Sequence, residues 1–394
     1  MARKKQKQAR RIFALVLVIA FVLLVVFTCD LKALSKGDVQ GAFAPWTEFL
    51  EGNKPNKEDG SSGGNGGGST VTSGELSIHF PMLGNANTGD CTLIKTGDVE
   101  VLIDAGSKRN SASTVVEYIN DYCTDGVLEY VIATHAHEDH IAAFVGSSSS
   151  LKDGVLENFE VGTIIDYPQK KTTSQISKDY EALRDGLVKN KGTKHYTALE
   201  CYNEEGEAKR TYTLGEGIEM HILYQKYYAE SSSDENEFSV CMLLTEGQNN
   251  YLFTGDLEAS GEKSLVESNN LPKCKLFKGG HHGSPTSSSA ELLAVIQPEI
   301  VCVCCCCGND VEYNYSVENM FPSQAFVDRV GKYTSQIYVT TLYDKATKTG
   351  VPMNGNIVVT AKNGTVSVNC SNNNTIFKET EWFKQYRVWP KGGK

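Results

Sequence analysis

The sequence predicts an α/β protein, an αββα sandwich of two sheets between outer helices, preceded by one transmembrane helix and a flexible linker. Within residues 75–394, runs typical of strands alternate with runs whose apolar residues recur at helical spacing, which predicts the sandwich. Ahead of them, an apolar stretch follows a basic N-terminus and precedes a segment rich in Gly, Ser and Asn. The expected boundaries are therefore residues 1–11, 12–29, 30–74 and 75–394.

The N-terminus has the charge pattern of a membrane anchor. Six basic residues in the segment 1–11 precede residues 12–29, a stretch of 18 residues without a charge that is long enough to span a bilayer. Because positive residues tend to stay cytoplasmic, the rest of the chain is expected outside the cell membrane. We expect a single-pass anchor, and a cleaved signal peptide that yields a secreted protein is the alternative.

The segment 30–74 is predicted to be a linker. Residues 61–70 read Ser-Ser-Gly-Gly-Asn-Gly-Gly-Gly-Ser-Thr. Such a composition buries too little apolar area to fold and behaves as a flexible tether. It would keep the folded domain near the membrane surface.

The chain beyond the basic N-terminus is acidic. Without the six basic residues at the N-terminus, 32 basic residues stand against 48 acidic ones, a formal charge of −16. Proteins that bind duplex DNA need basic surface to neutralise phosphates, so the composition counts against such a partner. A nucleic-acid partner remains an alternative because of local basic residues: Lys170, Lys171, Lys189, Lys191 and Lys194.

Five of the 12 cysteines lie in the short segment 301–307. Adjacent side chains of a strand point to opposite faces, so this segment predicts a central strand that is buried on both faces. In that environment cysteine acts as a small hydrophobic residue. A soft-metal or redox site is the alternative, although paired cysteines of zinc sites are usually two to four residues apart.

The remaining pattern assigns strands and helices in alternation. The sequence predicts helices over residues 113–122, 174–190, 260–268 and 288–296, and a short one over 141–145. Predicted strands cover residues 76–80, 91–95, 99–103, 127–133, 161–166, 217–224, 238–245, 251–254, 275–278 and 300–307.

The most informative segment is His135-Ala136-His137-Glu138-Asp139-His140, directly after a predicted strand. It holds imidazole nitrogens and a carboxylate within six residues, and a turn carrying them could bind two divalent cations. Paired metal ions generate a nucleophile and stabilise an oxyanion. The segment therefore predicts a metal-dependent hydrolase.

This segment resembles the HxHxDH signature of the metallo-β-lactamase superfamily. Other elements of that pattern follow in order: Gly89-Asp90, residues 101–106, residues 252–258 and residues 278–284. The set is most similar to the competence-type DNA-uptake hydrolases. The resemblance implies the αββα sandwich for residues 75–394 and a two-metal site, and it says less about the substrate.

The resemblance also implies roles for individual residues. The implied metal ligands are His135, His137, Asp139, His140, Asp256 and one of His281 and His282. The implied catalytic residues are Asp139, Asp256, His281 and His282. The residues expected to support and orient them are Asp104, Asp90, Asn236 and Ser239.

Two departures from the family pattern limit this interpretation. Many relatives have a third histidine on the first metal, and here the interval before Asp256 contains only His195 and His221, both expected to be non-ligands. Asn236 and Ser239 stand at the matching place. A downstream histidine of competence-type members is also missing, which leaves Tyr313, Tyr315 or a metal-bound water as proton donors.

The predicted function is a membrane-tethered extracytoplasmic hydrolase, a phosphodiesterase or nuclease that uses a metal-bridging hydroxide. The expected cofactors are two divalent metal ions, Zn²⁺ or, as the alternative, Mn²⁺, because nitrogen ligands outnumber carboxylates. The expected partner is a phosphodiester, either single-stranded nucleic acid or a cell-envelope polymer. The alternatives are a lactamase-like amide or ester hydrolase and a metal-containing binding module without turnover.

Overall fold

A computed structural model describes residues 75–147, 153–312 and 316–394, all within one compact unit, Thr70–Lys394. The predicted N-terminus, membrane segment and linker, residues 1–74, lie outside the described residues, as do Tyr313 and Tyr315. Among the described residues, no helix is both long enough and apolar enough to cross a bilayer.

The first sheet has eight strands and leads into the histidine loop. These are β1 (Leu76–Phe80), β2 (Cys91–Thr96), β3 (Val99–Ala105), β4 (Val127–Ala133), β5 (Glu160–Asp166), β6 (Lys194–Thr197), β15 (Ile357–Lys362) and β16 (Thr365–Cys370). Their order is β16-β15-β1-β2-β3-β4-β5-β6. Strands β3 to β6 are parallel, and the other pairs are antiparallel.

The second sheet also has eight strands. These are β7 (Thr211–Gly215), β8 (Ile218–Leu223), β9 (Cys241–Glu246), β10 (Asn249–Phe253), β11 (Leu276–Lys278), β12 (Ile300–Cys307), β13 (Gln336–Asp344) and β14 (Thr349–Pro352). Their order is β14-β13-β12-β11-β10-β9-β8-β7. Strands β10 to β13 are parallel, and the outer pairs are antiparallel.

One apolar core joins the two sheets. It contains Ile78 and Leu102 of the first sheet together with Met220 and Tyr251 of the second, all fully buried. Apolar faces of two sheets that pack against each other form the centre of a layered α/β protein. The predicted sandwich of two sheets is confirmed.

Helices cover the outer faces. In the described residues they are α1 (Ala112–Asn120), α2 (Glu138–Val145), α3 (Val155–Asn158), α4 (Gln175–Lys191), α5 (Ala198–Asn203), α6 (Ala259–Ser268), α7 (Ala290–Ile296), α8 (Gln324–Val330) and α9 (Glu381–Tyr386). A second core cluster packs α6 to α9 against the outer face of the second sheet, where Phe277 and Val301 lie. Helix α2 packs on α4 and β3.

Most predicted elements form within a few residues of their expected bounds. Helix α4 begins after Ser174, whose hydroxyl accepts a hydrogen bond from Ser177 N, and ends before Gly192 in a left-handed conformation. The predicted strand 238–245 is wrong at its start, because Glu235–Phe238 forms a 3-10 turn and β9 begins at Cys241. Asp234 caps this turn by accepting a hydrogen bond from Asn236 N.

The cysteine-rich strand β12 is buried along its whole length, as predicted. Cys302 and Cys304 face the core between the sheets, whereas Cys305 and Cys307 face the helices on the other side. The eleven cysteines of the described residues are all free thiols. Burial raises the pKa of Cys305 well above its usual value, so the thiols stay protonated and act as packing groups.

The parallel strands of both sheets end at one edge of the sandwich. Strands β3 and β4 deliver Asp104 and the histidine loop, while β10 and β11 lead into Asp256 and His282. The backbone links the two sheets here, because Val240 N donates a hydrogen bond to Thr134 O over 2.9 Å. Residues from distant parts of the chain therefore meet at this edge.

Candidate metal centre

The histidine loop connects β4 to α2. His137 is the residue before the first turn of α2, and Asp139 and His140 lie inside that turn. His135 and His140 are fully buried, with ring centroids 4.1 Å apart. His135 Nε2 lies 3.0 Å from His137 Nδ1. The loop therefore presents two groups of donors, His135 with His137 and Asp139 with His140.

Close backbone packing fixes this loop. Asp139 O accepts a hydrogen bond from Asp90 N over 3.0 Å. A Cβ atom on Gly106 would lie 1.6 Å from Asp139 O and 2.4 Å from Asp139 C, a distance that real atoms do not tolerate. Only glycine at position 106 leaves room for the first turn of α2.

The Gly106→Ala substitution is expected to displace Asp139 and His140 together. A displacement of about 1 Å at a catalytic group can cost about a hundredfold in rate, so metal-dependent activity should fall by at least that factor. The measurement is kcat/KM together with the thermal midpoint. Gly186→Ala is the matched control, because a Cβ there meets nothing within 4 Å and lies inside α4. Equal activity of the two variants would contradict the packing argument.

Asp256 lies at the centre of the cluster. Its Oδ2 is 3.0 Å from His140 Nε2, 3.2 Å from His282 Nε2 and 3.7 Å from His281 Nε2. His282 Nε2 is also 3.4 Å from Asp139 Oδ2. One carboxylate oxygen is thus surrounded by nitrogens from the first and second sheets. This is the arrangement expected of a carboxylate shared between metal ions.

The structure separates the roles of the two adjacent histidines. His282 is 1% exposed, and its Nδ1 lies 2.9 Å from Cys304 O and 3.0 Å from Asp90 Oδ1, so Nε2 points into the cluster. His281 is partly exposed and its Nδ1 contacts Thr286 Oγ1 at 3.1 Å. Geometry therefore favours His282 as the ligand and His281 as the group that faces the cleft. Both adopt left-handed backbone conformations, with φ of 55° and 46°.

Asp104 orients His140. Its Oδ2 lies 2.8 Å from His140 Nδ1, and its two oxygens also accept hydrogen bonds from Thr134 N and Thr134 Oγ1. With Nδ1 held in this way, His140 Nε2 is directed at Asp256, where a metal could bind. A carboxylate behind a ligand histidine fixes the ring and its tautomer. Asp104 itself has a φ of 57°, in the left-handed region.

Lys278 is a buried cation that the sequence-based prediction did not include. Its ammonium group pairs with Asp90 and lies 3.9 Å from Asp256 Oδ1, with 4% of the side chain exposed. Although burial opposes the charge, Asp90 and Asp256 raise the pKa of Lys278 above its usual value. The sequence did contain a signal: a charged residue ends an apolar strand just before the histidine pair. The position of Asp104 near the end of β3 is a signal of the same kind.

Asn236 and Ser239 lie beside the cluster without completing a histidine triad. Ser239 Oγ accepts a hydrogen bond from Asp256 N and is 3.5 Å from His135 Nδ1. Asn236 Nδ2 contacts Glu258 at 3.4 Å. His195 contacts Asp166 and His221 contacts Thr211, so the structure brings neither into the cluster.

The donor set fits a metal ion. One ligand atom from each of Asp90, His140, Asp256 and His282 lies within 4.8 Å of all the others. His140 Nε2, His282 Nε2 and Asp256 Oδ1 are buried and make no hydrogen bond of acceptable geometry with any described residue. Buried polar atoms without such partners are costly unless another group satisfies them. A divalent cation bound by imidazole and carboxylate would satisfy the two histidine nitrogens.

Asp256, together with His137 and Asp139 of the histidine loop, lines an open cleft of about 600 Å³. Its walls include Lys108, Glu138, Glu258, Asn319, Phe321 and the loop at Ser284–Thr286, and His281 projects into it. This volume suits a small ligand or one segment of a longer one. Of the implied metal ligands, His137, Asp139, Asp256 and His281 line this cleft.

Glu237, behind the cleft wall, predicts a pH effect on stability. Burial and then the nearby Glu258 raise the pKa of Glu237 from 4.5 to about 7. Its contribution to stability is therefore complete below pH 4.5 and is lost as the pH rises towards 7. Glu237→Gln keeps an acceptor for Gly261 N and should remove that loss. Thermal midpoints of the metal-free protein between about pH 4 and about pH 8 test this; parallel curves for variant and wild type would contradict it.

Comparison with known proteins gives the class. Residues 84–157 match the family model of the Metallo-beta-lactamase superfamily. This part of the chain therefore has the sequence pattern of that superfamily, and the donor cluster at the sheet edge is a candidate metal site. Among curated proteins it is similar to Recombination protein 2 of Haemophilus influenzae, with 26% identity over 257 residues, 63% of this chain and 26% of that protein.

A second curated relative supports the resemblance to competence proteins. ComE operon protein 3 of Bacillus subtilis is 25% identical over 187 residues, 46% of this chain and 20% of that protein. The chain thus spans about a quarter and a fifth of these relatives. Similar solved structures include YhfI from Bacillus subtilis, with TM-score 0.39 and 14% identity over 74% of this chain and 99% of that one. Another is human tRNase Z, short form, with TM-score 0.32 and 11% identity over 74% and 98%.

Proposed function

We propose that this protein is a phosphodiesterase that depends on two divalent metal ions. The observation that carries the proposal is the position of Asp256, whose Oδ2 faces three histidine nitrogens on the floor of a solvent-open cleft. Two-metal hydrolases of phosphodiesters use this combination of shared carboxylate and histidine ligands.

The donors divide between the two proposed ions. His135 and His137 would hold the first, while Asp139, His140 and His282 would hold the second, with Asp256 between them. Imidazole nitrogens outnumber carboxylates in this set, which favours Zn²⁺, with Mn²⁺ as the alternative. Because the first set lacks a third histidine, we expect its ion to bind more weakly and to leave a position for a substrate oxygen.

The chain's own residues orient the reacting groups. Bound divalent ions supply a nucleophile from water at neutral pH and neutralise charge on a phosphoryl oxygen. Asp104 and Asp90 hold the rings of His140 and His282, so that their Nε2 atoms stay directed at the cluster. His281 Nε2 faces the cleft and can donate a proton or a hydrogen bond to the negative charge that develops on the substrate.

Two alternatives remain distinct from this proposal. A lactamase-like amide or ester hydrolase is disfavoured, because Asn236 and Ser239 stand where the third histidine is expected. A metal-containing binding module without turnover would use the same cluster and lack catalysis. A chromogenic phosphodiester and a chromogenic lactam separate the three.

The test is hydrolysis of bis(p-nitrophenyl) phosphate and of nitrocefin by the full chain, loaded with Zn²⁺ or with Mn²⁺. We expect diester hydrolysis that a chelator abolishes and that the added metal restores, with no nitrocefin cleavage. Nitrocefin cleavage alone would establish the lactamase-like alternative. Metal binding without hydrolysis of either compound would establish the binding module.

We also propose the cellular setting. The basic segment 1–11 would stay in the cytoplasm, 12–29 would anchor the chain in the cell membrane, and the linker 30–74 would tether residues 75–394 outside. Charge and hydropathy of the N-terminus support this. Protease added to intact cells should remove the folded domain while leaving a membrane-embedded fragment; protection of the whole chain would refute the orientation, and release of the domain into the medium would indicate signal cleavage.

A further inference from the structure

The charges that line the cleft are mostly negative. The ammonium group of Lys108, the one lysine or arginine that lines the cleft among the described residues, is bound to Glu138 at 2.8 Å. Glu258 lies on the same wall and is partly exposed. Its Oε1 lies 3.6 Å from His281 Nδ1.

Several basic residues near this edge of the sandwich are bound to carboxylates or carbonyl groups. Arg109 binds Asp179 and the carbonyl of Gly146. Lys170 pairs with Glu181, and Lys171 Nζ donates a hydrogen bond to Ser233 O. Lys278 is buried against Asp90. Carboxylates therefore neutralise Arg109, Lys170 and Lys278.

Three further lysines had left nucleic-acid binding as an alternative at the level of sequence. These residues, Lys189, Lys191 and Lys194, lie at the opposite edge of the sandwich. Strands β5 and β6 are parallel, so α4 between them returns to the edge where these strands begin. Lys189 and Lys191 are in the last turn of α4, and Lys191 lies beside Gly126 and Glu160 at the starts of β4 and β5. Lys194 opens β6 and pairs with Glu207.

We infer that the cleft takes a phosphodiester with a single negative charge and a positively charged group, an ammonium or quaternary ammonium, next to the phosphate. The inference rests on the proposed phosphodiesterase function. A polynucleotide carries one phosphate per nucleotide and needs several cations along its path. Here the metal ions can neutralise one phosphate, whereas the lysine that lines the cleft is already bound to Glu138 and is not available to neighbouring phosphates.

The positive group has partners on the wall. Glu258 supplies a carboxylate, and Phe321, which also lines the cleft and is 4% exposed, supplies a small area of aromatic surface. Carboxylates and aromatic rings together are the usual binding partners of ammonium groups. Amino-bearing wall polymers and lipid head groups both contain this combination of diester and ammonium.

The experiment compares diesters that share one leaving group. The full chain, loaded with Zn²⁺, is assayed with p-nitrophenyl phosphorylcholine, with bis(p-nitrophenyl) phosphate and with thymidine 5′-(p-nitrophenyl phosphate). We expect kcat/KM for the choline diester to exceed the other two by about fivefold or more, as one partly screened charge pair supplies. Raising NaCl from about 0.05 M to about 0.5 M should reduce that preference.

Variants connect the preference to the wall. Glu258→Gln should bring the ratio of kcat/KM between p-nitrophenyl phosphorylcholine and bis(p-nitrophenyl) phosphate close to one, and the ratio is unaffected by a general loss of activity. Glu267→Gln, an exposed glutamate of α6 outside the cleft, should leave the ratio unchanged. An unaltered ratio in Glu258→Gln would overturn the assignment of the wall.

Natural sources and polynucleotides complete the test. Phosphatidylcholine vesicles and a D-alanylated poly(glycerol phosphate) represent the lipid and the wall polymer, and cleavage of either supports the inference and identifies the source. Preferential cleavage of a single-stranded oligonucleotide that weakens with salt would overturn the inference while leaving the phosphodiesterase proposal intact. Hydrolysis of no diester at all would instead defeat the proposed function.

Discussion

The Asp256→Asn variant is expected to lose metal-dependent diester hydrolysis by about a thousandfold or more. In the wild-type protein, Asp256 Oδ2 lies within 3.0 to 3.7 Å of three histidine nitrogens. Asparagine removes the negative charge that would lower the repulsion between two cations. Metal content should fall as well, which is measured by elemental analysis after exhaustive dialysis against a defined Zn²⁺ buffer.

A surface aspartate provides the control for this result. Asp98, in the exposed turn between β2 and β3, is far from the donor cluster in the fold, and Asp98→Asn should retain wild-type activity and metal content. If Asp256→Asn kept full activity with a full complement of metal, Asp256 could not be the shared ligand. The two-metal proposal would then have to be abandoned.

The Lys278→Met variant is expected to destabilise the metal-free protein by about 3 kcal/mol or more. Lys278 and Asp90 are 4% and 3% exposed, so removal of the ammonium group leaves a buried carboxylate without its strongest partner. Urea unfolding in the presence of a chelator measures the loss. Adding Zn²⁺ should restore part of the stability, because a bound cation replaces the missing positive charge.

A double variant isolates the pair. Lys278→Met combined with Asp90→Asn should be more stable than Lys278→Met alone, since both charges of the buried pair are then removed. Strict additivity of the two single substitutions would show that Lys278 and Asp90 do not interact across the cluster.

The local pattern of the sequence predicted the histidine loop and β12 well. Both depend on residues next to one another in the chain: His135 to His140 after an apolar strand, and a run of small apolar side chains that only a doubly buried strand accommodates. Period and composition are local signals, and they are strongest in such segments. The same holds for α4, with its serine cap and terminal glycine.

Other features depend on contacts that no local pattern records. The distinction between His281 and His282 follows from Cys304 O and Asp90 Oδ1, which hold His282 Nδ1 from distant strands. The role of Lys278 likewise requires knowing that β11 ends beside Asp90. The short elements β6, α5 and β7 were missed because four to six residues show too little periodicity to distinguish strand from helix.

The backbone at Asp104, His281 and His282 adopts the left-handed conformation that glycine adopts with less strain than other residues. Each such residue costs about 1 kcal/mol or more relative to an unstrained position. Selection for stability alone would therefore favour glycine at these three positions, and the imidazoles and the carboxylate would be lost. These three residues lower the stability of the fold in return for their side-chain chemistry. Stabilising substitutions are better sought elsewhere in the chain.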